Sequence, residues 1–156
     1  MNSLFHRIVL TLLISISFVF GQAVAHGTDQ DLVRHAMMAV FDKPTDPLNV
    51  EPVVVSGDYA VAGWVQSGKG GRAVLQKMHG HWSIMVCGGD GLKDAKALEQ
   101  TGMSAATAAT LAKSLAAAES KVSADTRKKF AMFDGILKVD AGHSNPHPGK
   151  PAIKHP

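Results

Sequence analysis

The chain is poor in the residues that most often announce a site. It has one cysteine and one tyrosine, and aromatic residues make up 6% of its 156 positions. A lone cysteine, Cys87, has no partner for an intramolecular disulfide, so a disulfide-stapled scaffold is excluded. No His-Glu-x-x-His, no Gly-x-Ser-x-Gly and no glycine run leading into Lys-Ser/Thr occurs. The zinc-protease, serine-hydrolase and phosphate-loop signatures are therefore missing, and no pair of carboxylates is singled out by spacing. Charge of one sign is also scarce, with 16 basic against 13 acidic residues. The one basic run, Arg127-Lys128-Lys129, is backed by Phe130 and Phe133 and reads as the wet side of an amphipathic helix, with no nucleic-acid groove.

Long hydrophobic runs are equally scarce, and the one present is at the start. His6 and Arg7 lead into apolar Ile8 to Phe20, then Gly21-Gln22 and the small-residue site Ala23-Val24-Ala25. A charged start, a short apolar stretch and Ala-x-Ala form the pattern of a secretory signal peptide, residues 1–25. The apolar stretch is well short of the roughly 20 residues that cross a bilayer. No cysteine at the cleavage point argues for a lipoprotein. The expectation is a periplasmic protein without membrane insertion after cleavage, made of one domain over 26–140.

Cleavage after Ala25 would expose His26 as the new N-terminus. A terminal histidine offers its α-amine and ring Nδ1 to one metal ion, the beginning of a copper site of the histidine-brace kind. The bland alternative is an ordinary exposed terminus.

Along the chain, Thr28 and Asp31 form a capping box ahead of Leu32, Val33, Ala36, Met37, Val40 and Phe41 at helical spacing. After Pro44 and Pro47, four strand candidates follow: Val50–Val55, Tyr59–Gln66, Arg72–Met78 and Trp82–Cys87. Ser67 to Gly71 reads as a flexible connection, and His79-Gly80-His81 as a tight turn. Helices are expected over about 92–100, over 104–119 behind Ser104, and from Ser123 to near Gly135. Residues 136–139 allow a short last strand. The segment 141–156, with four prolines and three histidines, reads as a disordered tail. The class is α+β, with an N-terminal helix, a four-stranded antiparallel sheet, then two or three helices. That order is similar to cystatin-like or NTF2-like shells.

Three groups of residues offer chemistry. Met85 and Cys87 alternate onto one strand face, with Cys87 just before Gly88-Gly89-Asp90-Gly91. A helix start there would favour a thiolate, and thiolate with thioether suits Cu(I). The competing reading is core packing of both. His79 and His81 flank a turn glycine, where polar residues are commonplace. His143 and His147 lie in the tail, where sparse histidines recruit metal loosely.

The pieces Val53-Val54-Val55-Ser-Gly-Asp58, Gly70-Gly71-Arg72 and Cys87-Gly-Gly-Asp90, with Trp64 and Trp82, resemble small bacterial proteins known as copper uptake system-associated proteins. The resemblance covers roughly residues 30–120. It implies an exported protein linked to copper import, with a copper importer or periplasmic copper chaperone as partner, but no reaction and no ligand set. In such proteins the turn held here by His79-Gly80-His81 looks like a general charged-Gly-charged turn.

The first expectation is a non-enzymatic copper-binding accessory protein, with His26, Met85, Cys87, His143 and His147 as candidate ligands. A second is a binding module for a small molecule or protein, with an apolar pocket lined by Trp64, Met37 and Tyr59. A third is a thiol-dependent enzyme using Cys87, which requires an exposed thiol beside a histidine.

Overall fold

The computed structural model describes residues 27–139. The capping box forms. Thr28 Oγ1 accepts from the Asp31 amide at 3.3 Å, and the Asp31 carboxylate accepts back from the Thr28 amide at 3.3 Å. It starts α1, Asp29–Phe41, which buries Val33 and Met37 fully. The buried stripe is narrower than the periodicity suggests, since Leu32 and Val40 are exposed. Asp42 ends the helix and its carboxylate accepts from the Leu48 amide at 2.7 Å, closing the proline loop.

Four strands then form a meander: β1 Asn49–Ser56, β2 Tyr59–Gln66, β3 Lys69–Met78 and β4 His81–Gly88. A fifth, β5 Ile136–Lys138, joins at the β4 edge, giving an antiparallel sheet in the order β1-β2-β3-β4-β5. Two of the links are two-residue turns with both residues at positive φ. Ser67-Gly68 takes 51° and 74°, and His79-Gly80 takes 52° and 82°. Such turns match the twist of paired strands.

Residues 67–71 are not the flexible connection expected: β3 already begins at Lys69. Gly70 and Gly71 are buried members of β3, opposite Val65 and Trp64. They are glycine because the backbone is crowded: a Cβ on Gly70 would lie 2.6 Å from the Trp64 carbonyl oxygen.

Helices cover both faces of the sheet. On one, Val33 and Met37 of α1 pack on Val50, Val53, Ala60, Ala62, Ala73, Leu75, Trp82, Ile84 and Cys87. On the other, Val54, Val61, Val74 and Val86 pack under α2, Ala95–Glu99, and α3, Ala105–Glu119, through Leu98, Ala108, Leu111 and Leu115. This explains the unbroken apolar runs Ala60-Val61-Ala62 and Ala73-Val74-Leu75, which a one-sided sheet would have broken by alternation. The helix expected over 92–100 is split, because the Asp94 carboxylate accepts from the amides of Lys96 and Ala97 and starts α2 afresh after a 3-10 turn, Asp90–Lys93. α4, Ala124–Phe130, closes the end and stops short of the expected Gly135.

Candidate functional site

The glycine-rich motifs turn out to build a clasp. Arg72 is fully buried, and its Nε and Nη2 donate to the two carboxylate oxygens of Glu119 at 2.6 and 2.8 Å. Nη1 donates to Asp90 at 3.1 Å, and the guanidinium lies 5.4 Å from the Phe130 ring centre. Gly89 presses on the Phe133 carbonyl oxygen, leaving no room for a Cβ. Gly-Gly-Arg and Cys-Gly-Gly-Asp thus meet across β3 and β4 and lock the sheet to α3 and α4. No local pattern links Arg72 to Glu119, because the two are 47 positions apart.

The paired Cu(I) site expected from Met85 and Cys87 does not form. Val74 pairs with Val86 but Leu75 pairs with Ile84, so Met85 is an extra residue in a β-bulge. A bulge interrupts strict alternation. Met85 joins Val86 on the α3 side, whereas Cys87 faces the α1 side. Burial pushes the Cys87 thiol up to about 11, which disfavours the expected thiolate. Its surroundings are mostly apolar, with Gln66 and Lys138 as the polar lining residues. Cys87 lines a cavity of about 480 Å3 with Phe41, Leu48, Trp64, Phe133 and Leu137, and no histidine is among the residues lining it. The exposed thiol beside a histidine that a thiol-dependent enzyme requires is therefore not found among the described residues. Of the pocket residues expected for a binding module, Trp64 lines this cavity. Met37 is sealed in the core, and Tyr59 packs on the opposite face, where it donates to the Gly102 carbonyl.

The opposite end of the sheet gathers histidines. Lys77 pairs with Trp82 and Met78 with His81, and His79-Gly80 closes the turn. Both histidines are exposed. A histidine tolerates positive φ better than most residues with a Cβ, which fits His79. The start of α1 is pinned beside this turn. Asp29 Oδ1 accepts from Lys77 Nζ at 2.8 Å and from the Trp82 indole at 3.3 Å. The Lys77 bond foremost, opposed by desolvation and helped by Trp82, holds the Asp29 carboxyl below its ordinary value.

His26, His143 and His147 lie outside the described residues. Among the described residues no three of His, Cys, Asp and Glu are grouped as a metal site, and no helix is long and apolar enough to cross a membrane. No family model, no curated protein and no solved structure matches the chain.

Proposed function

We propose that the chain is an exported copper-binding accessory protein whose ligands gather at the β3–β4 turn. One observation carries this reading: Asp29 ties the start of α1 to Lys77 and Trp82, next to His79 and His81. His26 is three residues before Asp29, and three residues of extended chain span about 10 Å. In a chain cleaved after Ala25, the terminal amine and imidazole would stand three residues from the Asp29 contact with Lys77 and Trp82.

The last described strand, β5, runs toward the same end of the sheet. β5 runs antiparallel to β4, and the Val139 amide donates to the Met85 carbonyl at 2.9 Å. His143 and His147, further candidate ligands, lie outside the described residues. Amine and imidazole donors suit Cu(II). The ion would be cargo, passed to an importer or a chaperone, which agrees with the resemblance to copper uptake system-associated proteins. Met85 and Cys87 have no part in this site.

Mass spectrometry of the exported protein, with and without copper, tests the proposal. It expects an N-terminus at His26 and one copper per chain. An N-terminus elsewhere, or no retained copper, contradicts it.

A further inference from the structure

Met78 and His81 stand opposite each other at the end of the β3–β4 hairpin. From Leu75 opposite Ile84 onward the register is regular, so the bulge that separates Met85 from Cys87 does not reach them. The turn between them, His79-Gly80, is held by positive φ at both residues, 52° and 82°. Directly opposite residues of an antiparallel pair share a face, with Cβ atoms about 5 Å apart. The hairpin therefore sets a thioether and an imidazole side by side.

Core packing does not account for Met78. It is 37% exposed and belongs to neither hydrophobic cluster. His81 is exposed as well, and His79, also exposed, adds a second imidazole at the same turn. The neighbouring cation is already engaged: Lys77 Nζ donates to Asp29 at 2.8 Å and lies 5.8 Å from the Trp82 ring centre. A thioether selects soft Cu(I), and imidazole binds copper too. His35 and Met38, three apart on α1, are a second exposed pair of the same residue types, but no further histidine joins them within that helix.

We propose that Met78 and His81, with His79 beside them, hold one soft monovalent metal ion, Cu(I) or its redox-inert analogue Ag(I). The inference rests on the reading of the β3–β4 turn as the copper-binding end of the sheet. It adds the thioether with which that turn holds the reduced ion.

Titration of the exported protein, labelled at its methionine methyl groups, with silver nitrate tests this by NMR. The Met78 methyl and His81 ring resonances should move together and saturate at one Ag(I) per chain. Met132, more exposed at 58%, is the control for a lone thioether and should respond later. Met78→Leu should weaken Ag(I) about a hundredfold, the gain that linked donors have over a single one, and should leave Cu(II) binding unchanged. The thiol of Cys87 is buried, so Cys87→Ala should titrate as the parent does. Met78 and Met132 responding in parallel overturns the proposal. So does a first response at Met38, or an Ag(I) affinity that survives Met78→Leu. If Cu(II) still binds one to one in those cases, the reading of the turn as a copper site stands without Met78. If Ag(I) binds at Met78 and His81 while Cu(II) does not bind, the soft-ion site stands and the Cu(II) site falls.

Discussion

Arg72 on β3 and Glu119 at the end of α3 form a two-bond ion pair inside the fold, with both side chains almost completely buried. Taking two charges out of water is costly, and their attraction offsets that cost only while both are present. Arg72→Met strands the Glu119 carboxylate and is expected to lower stability by about 3–5 kcal/mol. Adding Glu119→Leu should restore much of the loss. Urea unfolding of the two variants and the parent checks this. A single variant as stable as the parent would show that the clasp contributes nothing.

Gly89→Ala meets the Phe133 carbonyl oxygen, which is backbone and cannot swing aside. Forcing a methyl into a closed contact costs about 1–3 kcal/mol. Thermal unfolding should shift down accordingly. Gly57→Ala is a useful contrast: its Cβ would meet nothing within 4 Å, and its cost should come from positive φ alone.

Cys87 makes a prediction in base. Its thiol ionises at about 11 in the fold, against an ordinary 9.0. A folded-state pKa raised in this way favours the fold below pH 9.0, and the contribution is lost as pH rises from about 9 to about 11. The two-unit shift corresponds to roughly 3 kcal/mol. Stability of the parent should therefore fall over that window more steeply than that of Cys87→Ala. Parallel curves would contradict the burial argument. Alkylation of the folded protein at pH 7 should be correspondingly slow.

Asp29 makes the opposite prediction in acid. Its carboxyl is held below the ordinary 3.8, chiefly by the bond from Lys77. Its contribution is present above that value and is lost as pH falls through the lower folded-state value. The stability gap between the parent and Asp29→Asn should therefore narrow as pH drops below about 3.8. A gap independent of pH would mean that the carboxylate charge is not what pins α1.

Much of the fold was legible because its signals are local. The oxygens of Thr28, Ser104 and Ser123 each cap the helix they precede, and turn chemistry placed the four long strands. What was hidden is non-local. Nothing near Met85 in sequence announces a bulge; it arises where β4 gains a residue on β3, and it moves Met85 to the face opposite Cys87. Gly70-Gly71 reads as loose linker because the Trp64 backbone that requires it comes from another strand. Arg72 found its role only when α3 delivered Glu119. The closeness of Asp29 to the histidine turn likewise depends on how α1 crosses the sheet.

The proposal that the terminal amine of His26 and the β3–β4 turn hold one copper ion is tested by a competition titration with Cu(II) of the chain beginning at His26 and of the same chain with its terminal amine acetylated. Acetylation keeps every side chain and removes only the amine of the terminal chelate. One Cu(II) per chain is expected, weakened about a hundredfold by acetylation and weakened again by His81→Ala. Equal affinity in the two chains would contradict this site.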